Sequence, residues 1–365
     1  MLQKLVLTQF RNYARLTWAP DALVTVFYGQ NGAGKTNLLE ALSLLSPGRG
    51  LRGAPLPQMA RFGADGWGVA AIIHDQHGAR DVGVGYNAAM PGRRQVQLDG
   101  QSVKSQADLA GLFPVIWLTP QMDRLFSEGA GGRRRFFDRL VFSNNPLHAR
   151  ELAAHDTAVQ HRNRLLAERP DESAWLSAVE DSIARHAVAV TAERLALIDA
   201  IHLQSPSDPI FPLPEIALSC AIGDALLDRP ALEVEDGLRA RLLASRVQDR
   251  EARVTRIGAH RADYAIRDRV TGRSAQISSS GQQKTLLVGI ILSHAAIVAA
   301  HHGAPPALLL DEPLVHLDDP HRHALLQALE AMQAPVMMSG TDVEDFKGLS
   351  AAASRICVRD NALHS

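Results

Sequence analysis

The run Gly29-Gln30-Asn31-Gly32-Ala33-Gly34-Lys35-Thr36 fits the phosphate-loop pattern G-x-x-x-x-G-K-[ST]. Glycines let successive backbone N–H groups curl around phosphate oxygens, and the helix that follows adds the partial positive charge of its N-terminus. Lys35 would bridge the β- and γ-phosphates of ATP, Thr36 would place its hydroxyl on Mg²⁺, and Asn37 continues the loop into the helix. A second candidate is Ala307-Leu308-Leu309-Leu310-Asp311-Glu312, an apolar strand ending in two carboxylates. Asp311 would serve the metal and Glu312 would polarise an attacking water. Between them stands Ser278-Ser279-Ser280-Gly281-Gln282-Gln283-Lys284, ahead of a long apolar helix. Small residues and a glycine at a helix start make a second anion-binding end. They make an equally ordinary polar helix cap.

These residues need elements to hold them. Leu5, Leu7 and Phe10 sit near period two, and Leu23 to Tyr28 is an apolar β-rich run that ends in glycine. Asn37 to Leu45 has helical spacing, and residues 46–66 read as loop. Val69 to Ile73, Val82 to Tyr86 and Gln95 to Leu98 suggest a meander, and Val115 to Leu118 a further strand. The middle is helical: Leu147 to Glu168, a break at Arg169-Pro170-Asp171, then Trp175 to Ile201. Two such helices predict an antiparallel hairpin roughly 30–40 Å long at 1.5 Å per residue. Four prolines in 205–214 mark its exit, and Glu215 to Ile277 mixes strand and helix signals. The end returns to α/β character: a helix from Gln283, a strand at Ala307 to Leu310, a helix after Pro320 and a strand at Pro335 to Met338. The expected fold class is α/β, with one nucleotide-binding domain built from both chain ends (1–140 and 215–365) and an inserted α-helical arm over 141–214.

The composition allows this. The 365 residues carry 38 Lys+Arg against 39 Asp+Glu, a net charge of −1, with 46% hydrophobic and 21% charged residues. That suits a globular chain with a real core and excludes a disordered or fibrous one. Two cysteines exclude a disulfide framework and a four-cysteine zinc site and suggest a reducing compartment. The N-terminus lacks a signal layout, and the apolar stretch Leu286 to Ala300, cut by Ser293 and His294, is too short to span a bilayer. The expected location is the cytoplasm, with no membrane partner. Near-zero net charge gives no global pull toward nucleic acid.

The order of phosphate loop, serine-glycine-glutamine signature and Asp-Glu strand end resembles the ABC ATPase superfamily. Further segments narrow the match. Leu7-Thr8-Gln9-Phe10-Arg11-Asn12-Tyr13, Ser46-Pro47-Gly48-Arg49-Gly50-Leu51-Arg52, Thr119-Pro120-Gln121, Gly131-Gly132-Arg133-Arg134-Arg135-Phe136-Phe137-Asp138 and Gly258-Ala259-His260-Arg261-Ala262-Asp263 are similar to stretches of the RecF family, in family order. The resemblance implies a weak, DNA-dependent ATPase of the Rad50/SMC-head type that binds double-stranded or gapped DNA, forms an ATP-dependent homodimer, and helps RecO and RecR load recombinase at gaps. Carried over residue by residue, it implies nucleotide contacts from Gly29, Gln30, Asn31, Gly32, Ala33, Gly34, Lys35, Thr36 and Asn37, and metal contacts from Thr36, Gln121 and Asp311. It also implies catalysis by Lys35, Glu312 and Ser279, and cross-subunit contacts from Ser279, Gly281 and Asp318.

Departures are visible too. Transport-type ABC proteins carry a histidine after the strand that follows the Asp-Glu pair, where this chain has Ser339-Gly340-Thr341-Asp342. That disfavours the alternative reading, the ATPase subunit of a membrane transporter. A chromosome-organising ATPase needs far longer arms, and a small-molecule kinase leaves Ser279 to Gln282 unexplained. Leu314-Val315-His316 replaces the usual Ser-Ala or Ser-Glu before Leu317-Asp318, and Ser278 stands where the signature has leucine. For DNA, Arg133, Arg134, Arg135 and Arg139 are the candidates, with Arg49, Arg52 and Arg261 behind them; three consecutive arginines also read as a solvated face, or one of them as a nucleotide or carboxylate partner inside the head. No aromatic residue interleaves with that run as a single-strand stacking platform would require, which favours duplex contacts by charge.

Overall fold

The computed structural model describes residues 1–75, 78–90, 92, 94–103, 109, 112–204 and 210–364. The chain divides into two compact units. The first joins Met1–Arg124, Pro206–Phe211 and Ser279–Ser365, and the second joins Leu125–Ser205 and Pro212–Ser278. A head assembled from both chain ends is therefore what the chain forms. The helical insertion is larger than the expected 141–214. It begins ahead of the Gly131–Asp138 segment and continues through Gly258–Asp263, because these two segments pair with each other. The proline-rich exit at 205–214 lies partly outside the described residues.

In the first unit, β1 (Leu2–Phe10), β2 (Tyr13–Trp18), β4 (Gly66–Asp75), β5 (Gly78–Asn87), β6 (Gln95–Leu98) and β7 (Gln101–Ser102) form a six-stranded sheet in the order β2-β1-β4-β5-β6-β7. Every pairing in it is antiparallel. A second sheet has the order β14-β13-β3-β12-β11-β8, from β3 (Val24–Tyr28), β8 (Val115–Leu118), β11 (Ala307–Asp311), β12 (Val336–Gly340), β13 (Ser354–Arg359) and β14 (Ala362–His364). Its inner strands are parallel, and the runs VTVFY, VIWL, ALLLD and VMMSG are nearly all buried, as a sheet covered on both faces requires. One face packs on α1 (Lys35–Ser43) and the antiparallel sheet through Phe27, Leu38, Leu42, Trp117 and Leu309. On the other, Leu118 and Leu310 meet Val288 and Leu292 of α8 (Ser280–His302) and Leu325 of α9 (Asp319–Ala331).

The helix α8 begins six residues before the apolar stretch read from sequence and ends two residues after it. At 23 residues it is the one described helix long and apolar enough to cross a membrane, but 67% of its apolar window is buried inside the fold. Burial on all sides explains its lack of amphipathic pattern: it is a core helix.

In the second unit, α3 (Leu147–Glu168) and α4 (Ser173–His202) form the expected hairpin, joined by residues 169–172. Helix α2 (Ala130–Asn144) precedes it. The stretch that sequence left unordered contains an antiparallel pair, β9 (Pro214–Ser219) with β10 (Asp263–Asp268), and three helices, α5 (Ala221–Asp228), α6 (Ala231–Ala244) and α7 (Arg246–Ala252). The apolar core of this unit draws on Leu166, Leu176, Ile183, Val190, Leu238 and Leu242. At its centre Arg162, fully buried, donates to Glu180 (2.9 Å), Asp249 (2.7 Å), Thr255 (3.0 Å) and the Leu242 carbonyl (2.7 Å), so one guanidinium joins four segments. Paired on all sides, the charge is tolerated in the interior.

Candidate nucleotide site

The parallel register decides where the chemistry collects. Asp311 lies opposite Ser339, and Ser339 opposite Phe27, so β11, β12 and β3 end at one edge of the sheet. β8 runs parallel beside β11 and delivers Thr119 to Gln121 at the same edge. Such carboxyl ends are where open α/β sheets hold ligands.

The phosphate loop follows β3. Gly34 is the left-handed N-cap of α1, with φ 110°, and a Cβ there would lie 2.6 Å from the buried Tyr13 hydroxyl. Gly29, at φ 142°, would place a Cβ 2.5 Å from the Val358 carbonyl oxygen. Only glycine satisfies both the backbone conformation and the close approach. Lys35 is 5% exposed, and its Nζ donates to the carbonyls of Gly29 (2.6 Å) and Gln30 (2.9 Å). Burial lowers its pKa, while Glu312 and Asp311 nearby act to raise it. Gln30, Asn31 and Gly32 are exposed, as a loop open to a ligand should be.

Thr36 and Asp311, 275 residues apart, are joined by a hydrogen bond from Thr36 Oγ1 to Asp311 Oδ1 of 2.8 Å. Ser339 Oγ donates to the same oxygen at 2.6 Å and accepts the Glu312 N–H at 3.1 Å. Asp311 is 5% exposed and held by two hydroxyls. A buried carboxylate among hydroxyls fits a hard divalent cation such as Mg²⁺, which takes oxygen donors and supplies the missing countercharge. Glu312 sits at φ 49°, a left-handed conformation that costs a non-glycine residue energy and turns the chain sharply after the strand.

The remaining expected residues are dispersed. Gln121 is exposed on the short 3₁₀ turn Pro120–Arg124 after β8. Ser279 is the N-cap of α8: its hydroxyl accepts the Gln282 N–H while the Gln282 side chain accepts the Ser279 N–H, a complete capping box. Gly281 lies two residues on, in the first turn of α8, where a Cβ would stand 3.2 Å from the His316 carbonyl oxygen. Asp318 caps α9 by accepting the His321 N–H (3.1 Å), and its contact with the His321 ring holds its carboxyl below the usual range. Ser279, Asp318 and Gln121 are exposed, while Lys35 and Asp311 are buried.

The matching family model, described as the RecF/RecN/SMC N terminal domain, spans residues 1–346. A "DNA replication and repair protein RecF" from Mesorhizobium japonicum is 41% identical over 98% of this chain and 96% of its own length. One from Rhizobium meliloti is 40% identical over the same shares. The chain belongs to the RecF family. Its fold is that of a RecF and SMC-type ABC ATPase head. The structure of "the recombination mediator protein RecF-ATPrS in RecFOR pathway" superposes with a TM-score of 0.87 at 24% identity, covering 100% of this chain and 97% of that one. An SMC head domain from Pyrococcus furiosus, with an extended coiled coil, gives 0.54 at 12% identity, covering 99% and 94%.

Two of the RecF-like segments prove to be halves of one contact in the second unit. Arg133, 4% exposed, makes a bidentate ion pair with Asp263 (2.8 and 2.9 Å). Arg134 donates to the Ala262 carbonyl (2.6 Å), and Phe137 stacks on Tyr264 at 4.1 Å. Arg194 of α4 pairs with Asp138 (2.7 and 2.8 Å) and reaches the Ala259 carbonyl (2.7 Å). Arg133 is thus removed from the DNA candidates, and Arg134 is largely committed. Pairing inside the protein is what their helix face provides. Arg135, Arg49 and Arg261 are exposed, and Arg139 lies over the Phe136 ring at 5.3 Å. Arg52 is also committed: it donates to Asn37 (2.9 Å) and Glu40 (3.3 Å).

Sequence reasoning missed Ser339 and Glu40. Glu40 is fully buried in α1, yet it accepts two bonds from Arg11 (2.7 and 2.6 Å). The only signal was a polar residue where the strand or helix pattern calls for an apolar one.

Proposed function

We propose that this chain is a cytoplasmic ATP- and DNA-binding protein of replication and recombinational repair, a weak, DNA-dependent ATPase that dimerises head to head on ATP and releases DNA on hydrolysis. RecO and RecR are the proposed partners in loading recombinase at gaps. The observation that carries the reading is the hydrogen bond between Thr36 and Asp311 beside Lys35 and Glu312, four residues from two distant motifs at one sheet edge. The names of the relatives, which are replication and repair proteins, support it.

The loop N–H groups and Lys35 hold the phosphates; to do so Lys35 exchanges its two carbonyl partners for phosphate oxygens. Thr36, Asp311 and Gln121 would hold Mg²⁺, which when bound supplies positive charge at the phosphate oxygens. Asp311 is kept in place by Ser339, which also accepts the Glu312 N–H and so holds the start of the turn that carries Glu312. Glu312 orients water for attack on the γ-phosphate. The exposed Ser279 and the half-buried Gly281 of one copy meet the γ-phosphate held by the other, near Asp318. Two positive helix ends repel until a polyanion separates them, so ATP closes the dimer and its loss opens it.

The test is a sizing experiment on the parent and Glu312→Gln proteins, with ATP or ADP, with and without gapped duplex DNA. Dimers with ATP alone, accumulating in Glu312→Gln and strengthened by DNA, are expected. A Glu312→Gln protein that stays monomeric with ATP overturns the switch.

A further inference from the structure

Lys284 has no part in the nucleotide contacts above, yet it is a fully buried ammonium group. It stands in the second turn of α8, five residues after the Ser279 cap. Its Nζ donates to Asp123 Oδ1 at 2.7 Å, and that carboxylate is 15% exposed. Asp123 belongs to the 3₁₀ turn Pro120–Arg124, two residues after Gln121. The ion pair therefore joins the turn that carries Gln121 to the helix start that carries the signature. On its other side the same helix start leans on the loop after Glu312, through Gly281 and the His316 carbonyl.

We propose that Lys284 is a positioning residue that makes the signature end of α8 follow the Gln121 turn. ATP bound by one copy then aims that copy's own Ser279 and Gly281 at its partner. The inference rests on the ATP-site reading above and adds the internal link between its two halves. Packing alone would be served as well by leucine or methionine at 284. A buried ammonium is different: if Asp123 moves away, the charge is left unpaired in an apolar interior, so the two elements move together or the pair breaks. Three residues of short, hydrogen-bonded turn then transmit a displacement at Gln121 with little slack. A coupling of this kind is shown only by perturbing one end and reading the other.

The experiment is hydrogen exchange over residues 279–287, with and without Mg-ATP, in the full-length parent and in the Lys284→Met/Asp123→Leu protein, which replaces the pair by apolar groups and keeps the packing. Fluorescent-ATP binding and sizing run in parallel. In the parent, exchange in this segment slows on ATP. The double variant binds ATP within about threefold of the parent but loses that response and needs about tenfold more protein to dimerise. Lys284→Arg restores both, as a purely structural role for methionine-sized bulk would not. Asp123→Asn, altered on the more exposed side of the pair, serves if the double variant does not fold, and it should lose the response in the same way. An unchanged response in these variants, or no response to bound ATP in the parent, overturns the inference. A parent that responds in this segment but never dimerises overturns the dimer reading and leaves the link standing.

Discussion

Ser339 shows how much of a nucleotide site lies outside its motifs. Its hydroxyl holds Asp311 Oδ1 at 2.6 Å and its oxygen accepts the Glu312 N–H. Replacing it with alanine leaves a buried carboxylate with one hydroxyl partner instead of two. Ser339→Ala should bind ATP within a few-fold of the parent but lose hydrolysis by about 10²-fold, the order of effect expected when a catalytic carboxylate is misplaced; single-turnover and equilibrium-binding measurements separate the two. Glu40 is a residue of another kind. It is buried and accepts from both Arg11 and Arg52. Glu40→Ala leaves these partly exposed cations without their carboxylate and should cost about 1–3 kcal/mol in denaturant unfolding. Among the arginines, exposure predicts a division of labour. Arg135→Ala should leave stability unchanged and reduce the salt slope of DNA binding by about one. Arg133→Ala should instead destabilise the protein, since its partner Asp263 then loses a bidentate ion pair.

At the scale of elements, the start of α8 holds two readings at once. Sequence alone left Ser279 open between helix cap and phosphate contact. The capping box is present, and the serine is exposed at the surface all the same. The two roles separate by substitution. Ser279→Asp keeps a good cap and should preserve the melting midpoint, yet it sets a carboxylate against a phosphate and should abolish ATP-dependent dimers. Ser279→Ala should lose about 1 kcal/mol of stability as well. Calorimetry and sizing on the pair decide between the readings. The phosphate loop, the strands of the parallel sheet and the α3–α4 hairpin were legible because each is local: a run of glycines, a buried apolar run, a helical period. Helices α5 to α7 and the β9–β10 pair were not. Their strands are 44 residues apart in sequence from the end of one to the start of the other, and pairing at that distance leaves no local period to read.

Over the whole molecule, buried charge makes stability depend on pH. In the second unit, burial opposes ionisation of Asp138, yet hydrogen bonds from His148 and Arg194 hold its carboxyl below the usual range. Asp249 is held low in the same sense, against burial, by Ser245, Arg162 and Arg256. Burial also pushes the His260 imidazole below its ordinary pKa, with the bond to the Thr255 carbonyl partly offsetting it. The signs agree. A histidine depressed in the folded state takes up its proton first in the unfolded chain, so stability falls as pH drops through the unfolded value near 6.5. The depressed carboxylates keep their contribution until the pH falls below about 4. Thermal midpoints should therefore decline between pH 7.5 and 5.5, and His260→Gln should flatten that limb by at most about 1.4 kcal/mol per pH unit. A net charge of −1 carries no information about DNA at this scale, because an exposed arginine such as Arg135 acts through its local field and not through the total.

The sequence by itself determined the family, the α/β class, the head built from both chain ends and the residue types of the site. Each of these rests on short-range order, in motifs of three to eight residues and in hydrophobic period. Tertiary structure alone decided the rest. It set Thr36 beside Asp311 and recruited Ser339. It turned Arg133 inward onto Asp263, and it extended the helical unit well past residue 214. It also gave the buried Lys284 its partner on the Gln121 turn. The physical reason is the same throughout: a charged or hydroxyl side chain takes its role from what it can pair with once water is excluded, and those partners lie far away along the chain.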